Sequence, residues 1–88
     1  MKYYTDIYSE VLLANTIDTK GRYVAFEIDC WEVEGEIYAS VQKGFMKGGE
    51  FAKFGTWQDG KRYRTEELAI KGARAIAKTR ITKLQQAA

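Results

Sequence analysis

Tyr23, Glu27, Asp29 and Trp31 fall on alternate positions of one stretch, and Tyr38 follows a few residues later. A period of two puts such residues on one side of a strand. Rings standing among carboxylates are equipped for contact rather than for turnover. Trp and Tyr are the side chains that most often anchor an interface, and acids steer a basic partner toward them. Such a face can grip a basic protein surface, or offer carboxylates where a nucleic acid would offer phosphates. A plainer role competes with this one, since Trp31 and Tyr38 as a cross-strand pair would stabilise a hairpin by about 0.2–1 kcal/mol.

A second set is basic. Lys71, Arg74 and Lys78 share one side of a helix by spacing, and Lys61, Arg62 and Arg64 precede them, with Trp57 and Tyr63 interleaved. Cations among rings can bind phosphates and stack on exposed bases. Against that, Lys and Arg are the ordinary solubilising choice for a helix's wet side. Glu66 and Glu67 would also repel a phosphate approaching the helix N-terminus.

Catalytic equipment is missing. The chain has no histidine and one cysteine, Cys30. Histidine-based triads, His–Cys zinc sites and disulfides within the chain are therefore excluded. Glu32, Glu34 and Glu36 alternate, but they straddle an expected turn without an Asp-rich calcium loop or a nucleophile beside them. Gly44 to Gly49 lacks P-loop spacing. Cys30 falls on the inward side of its strand, as a small core residue. The reading is a non-enzymatic protein with no catalytic residue, metal or cofactor.

The elements that must position these groups are legible from period and punctuation. Val24, Phe26, Ile28 and Cys30 alternate with the polar set above, and Ile37, Ala39 and Val41 alternate with Tyr38, Ser40 and Gln42. Two strands joined near Glu32-Val33-Glu34-Gly35 make a hairpin. Residues 7–17 read as a strand paired with 22–32 through the turn Asp18-Thr19-Lys20-Gly21. Residues 3–13 also fit helical spacing; the turn chemistry favours the strand. Lys47-Gly48-Gly49-Glu50 predicts another hairpin, with Phe51 to Trp57 as a fourth strand. Asp59-Gly60 then reads as a turn into a short ribbon over 61–64. From Thr65 the period changes to that of an amphipathic helix over 65–84, with Leu68, Ala69, Ala73, Ile76, Ala77 and Leu84 inward.

The expected fold class is α+β, one domain over 1–88: an antiparallel meander of four to five strands with one long C-terminal helix on one face. The opposite face should be open to water, and the contact residues lie there. Charge is divided along the chain. Residues 1–41 hold three basic residues against eight acids, and residues 42–88 hold eleven against four. No apolar run could span a bilayer, and MKYYTDIYSE lacks the apolar segment of a secretory signal, so a cytoplasmic setting is expected.

Strand–strand–strand–helix order resembles double-stranded-RNA-binding domains and the three-stranded arm domains of phage-type integrases. The RNA-binding family opens its last helix with lysines, whereas this helix opens Thr65-Glu66-Glu67-Leu68. In size and make-up the chain is also similar to small phage-encoded inhibitors of bacterial defence systems, anti-CRISPR proteins among them. That similarity implies an inert inhibitor acting through a charged or aromatic face. The leading expectation is thus a binding protein that engages a larger protein or protein–nucleic-acid complex through Trp31, Glu27, Asp29, Tyr38 and Tyr23. The second is a small DNA- or RNA-binding module using Lys71, Arg74, Lys78, Arg62 and Arg64. Free edge strands also offer a second copy a place to pair, as a homodimer.

Overall fold

The computed structural model describes residues 4–55 and 59–87. Five strands and one helix follow in order: β1 (Tyr4–Ile17), β2 (Tyr23–Val33), β3 (Glu36–Lys47), β4 (Glu50–Lys53), β5 (Lys61–Tyr63) and α1 (Glu66–Ala87). The sheet is antiparallel in the order β1-β2-β3, and β4 and β5 both pair with β3. This is the expected α+β meander with its helix. Among the described residues no helix is long and apolar enough to cross a membrane.

Local chemistry explains the joints. Asp18 accepts the backbone N–H groups of Lys20 and Arg22 at 2.9 Å each, and its other oxygen meets Arg22 Nε at 2.8 Å. These bonds, the Arg22 amide first, hold the Asp18 carboxyl below its ordinary range. Glu34 and Gly35 both take positive φ, 50° and 79°, which is the two-residue turn whose twist matches a hairpin. It sits one step tighter than the four-residue reading, because Val33 and Glu36 are still paired. Thr65 Oγ1 accepts the Leu68 N–H at 3.1 Å and so caps α1.

The core lies between α1 and one face of the sheet. Val24, Phe26, Ile28 and Cys30 from β2 and Ala39 and Val41 from β3 meet Ala69, Ala73 and Ala77. Those three alanines, spaced by four, give α1 a smooth stripe that lets it sit close to the strands. Gly72 marks a close approach on the flank toward β5, where a Cβ would lie 2.6 Å from Tyr63 Cε2. Burial pushes the Cys30 thiol upward, and Asp29 adds to it.

One choice is decided and three expectations need correction. β1 begins at Tyr4, so the helical alternative fails throughout its described part; pairing with β2 outweighs the local helical spacing. β4 ends at Lys53, because Phe54 and Gly55 bend away, and Trp57 lies outside the described residues. Asp59-Gly60 does not turn β4 back on itself, since β5 pairs with β3. Leu68 is 48% exposed, because the inward stripe runs through Ala69, Ala73 and Ala77 and leaves Leu68 on the flank with Lys71 and Lys78.

Candidate functional site

Trp31, Asp29, Glu27 and Tyr23 lie on the face of β2 opposite α1, as their alternation with the buried Val24, Phe26, Ile28 and Cys30 requires. Register brings Tyr38 opposite Trp31, and the two rings stack at 6.0 Å with planes 17° apart. Asp6, opposite Trp31 on its other side, adds a third carboxylate to that neighbourhood. Sequence reasoning missed Asp6. The signal that hides it is a register shift between Asp6 and Tyr8, which reverses the inside–outside alternation of β1 at that point.

Glu27 and Asp29 form the polar centre of the face. Directly across from Glu27 are Val11 and Gln42, and across from Asp29 are Ser9 and Ser40, so no cation faces either acid within the ladder. Partial burial, then the hydrogen bond to Asp29, pushes the Glu27 carboxyl up to about 7. Asp29 Oδ2 is buried and has no hydrogen-bond partner among the described residues.

The raised acid has a consequence for stability. Unfolded, Glu27 releases its proton near its ordinary 4.5; folded, it holds the proton to about 7. Its stabilising contribution is therefore full below the unfolded value and lost as pH rises through the folded one. Discounted for its solvent contact, the loss is about 1 kcal/mol between pH 5 and 8. Denaturant titrations at the two pH values measure it, and Glu27→Gln should flatten the difference. A stability that rises across this window would contradict the shared proton.

The reverse face is less open than the one-helix architecture implies. Ser40 and Gln42 are buried, Gln42 to 2% exposure. Gln42 Nε2 donates to the Phe54 carbonyl at 3.0 Å, and a Cβ on Gly60 would lie 2.5 Å from Trp31 Cζ2. Phe54 and Gly60 thus each cover part of this face, over Gln42 and against Trp31. Trp31 and Tyr38 are left half-buried, while Tyr23 remains 62% exposed. Neither ring lies under α1.

The basic set is not one free stripe. Lys71, Lys78 and Arg64 are exposed. Arg74 is half-buried and stands 3.2 Å from Glu10 of β1, an ion pair without a hydrogen-bond angle. Helix packing beside β1 draws it down from the solvent side that its spacing predicted. Arg62 meets Glu36 at 3.3 Å, and Tyr63 packs toward Gly72. Among the described residues no three of His, Cys, Asp and Glu gather closely enough to hold a metal ion. No protein-family model matches the chain, and no significant match is found among curated proteins or among solved structures.

Proposed function

We propose that the protein is a non-enzymatic binding protein that engages a larger protein or protein–nucleic-acid complex through the reverse face of its sheet. The observation that carries this reading is the stacked, half-exposed Trp31–Tyr38 pair beside the acids Glu27, Asp29 and Asp6. Stacking holds both rings rigid before contact, which reduces the entropy lost on binding. Carboxylates on one side of the anchor favour a basic partner and speed its approach. The most concrete form is a phage-style inhibitor that presents acids and rings where its target expects phosphates and bases.

Trp31→Ala tests this. Loss of a central aromatic anchor should weaken partner binding by at least about 30-fold. Capture from the host's lysate, with and without nuclease, identifies the partner, and titration against it gives the ratio. Circular dichroism establishes whether the variant folds. Because Trp31 also packs beneath Gly60, the paired variant Glu27→Gln/Asp29→Asn keeps the rings and removes only charge; it should slow association. Unchanged affinity and association rate in both variants would sink the reading.

In the nucleic-acid alternative Arg74 and Arg62 already face Glu10 and Glu36, while Lys71, Lys78 and Arg64 stay exposed. A gel shift with generic duplex at low salt decides it, because phosphate-driven binding must weaken steeply with added salt.

A further inference from the structure

β1 is the outer strand on the side of the sheet away from β4 and β5. Fourteen residues long, it carries no lysine, arginine or proline, the residues that usually blunt an exposed edge. Its reverse-face residues include Val11 and Leu13, which are 38% and 57% exposed. Beside it, the near flank of α1 holds a shallow groove of about 600 Å³ lined in part by Leu68, Lys71, Arg74 and Lys78. The Glu10–Arg74 and Ala14–Gln85 contacts place that flank alongside β1.

We infer that β1 pairs antiparallel with β1 of a second copy about a two-fold axis at Val11. Three observations choose this occupant and this register. The stretch free of irregularity lies between the register shifts at Asp6/Tyr8 and Leu13/Ile17, and Gln85 already occupies the Ala14 carbonyl, leaving Ser9 to Leu13 for a partner. Centring on Val11 sets Ser9 opposite the second copy's Leu13 and the two Val11 side chains opposite each other. An apolar row then runs across the junction on the reverse face, covering what one copy leaves wet. Centring on Glu10 instead would oppose two carboxylates, and centring on Ser9 would run the pairing into the irregularity at Asp6.

Charge agrees. The two-fold keeps both helices on the same side of the joined sheet and places the second copy's Glu10 opposite Leu12. That position lies under the flank where Lys78 stands exposed. Glu10, already paired with Arg74 of its own helix, thereby gains Lys78 of the other copy as a second cation, once at each end of the axis. Five paired residues give roughly 17 Å of ladder, at the small end of specific interfaces, so the dimer should be weak and concentration-dependent.

Sedimentation from 1 to 200 µM should show a transition from one 10.1 kDa chain to two. Val11→Lys sets two ammonium groups against each other and should abolish it; Val11 is partly exposed in the single copy, so the fold survives, checked by circular dichroism. Val11→Cys should give a disulfide-linked dimer on mild oxidation, Thr19→Cys in the exposed turn should not, and Cys30 is buried beyond reach. A monomer at 200 µM, growth beyond two copies, a dimer that survives Val11→Lys, or equal cross-linking of both cysteine variants would each overturn the proposal. Val11 and Trp31 share the reverse face, with Val11 across from Glu27 and Asp6 across from Trp31, so the Trp31→Ala titration is run below the dimer's concentration, where the Trp31–Tyr38 stack is tested by itself.

Discussion

Ile28→Ala should lower the unfolding free energy by about 3–4 kcal/mol, a large part of the roughly 4–13 kcal/mol that a domain of this length possesses. Ile28 is fully buried at the centre of β2, with Glu10 and Val41 opposite it. The helix above presents Ala69, Ala73 and Ala77 to this core. Alanines have no length with which to follow a retreating side chain, so the vacated space stays a cavity, and cavities add their own cost to the lost burial. Urea unfolding measures it. A loss below 1 kcal/mol would mean that α1 settles onto the sheet, and that the alanine stripe does not fix its height.

Gly44→Val should cost about 2–3 kcal/mol and free β4 from the sheet. A Cβ on Gly44 would sit on the Ala52 carbonyl oxygen and against the Phe51 ring. The ring can swing away, but the carbonyl belongs to the strand that Gly44 pairs beside. Amide exchange should therefore rise in Glu50–Lys53 while β1 and β2 keep their protection. Adding Phe51→Ala should restore little of the stability. Full restoration would identify the ring, rather than the main chain, as the obstacle.

The strands and helix were legible because their burial is one-sided, and one-sided burial writes a period of two or of 3.6 into the residues. Val24 to Cys30 show it on β2, and Ala69, Ala73 and Ala77 on α1. What could not be read depends on partners far along the chain. Arg74 looked solvent-facing because its spacing matches Lys71 and Lys78, yet its partner Glu10 is sixty-four residues earlier. Gln42 alternated as an outward residue, and its burial comes from a connection that lends it a carbonyl twelve residues later. Asp59-Gly60 carries strong turn chemistry, but local chemistry does not say which strand is met next. Of the candidate site, the reverse-face positions of Tyr23, Glu27, Asp29, Trp31 and Tyr38 followed from parity, whereas Asp6 depends on the register shift in β1. The stacking of Trp31 on Tyr38 followed from register, and the retained proton on Glu27 follows from a neighbourhood that only the folded ladder creates.

The order of elements also constrains when this molecule can become itself. Cys30, Phe26 and Ile28 leave the ribosome well before Ala69, Ala73 and Ala77, their covering layer. At about 5–20 residues per second, the greasy side of the finished hairpins waits a few seconds for its lid. Folding is thus completed only once residues 66–87 have emerged.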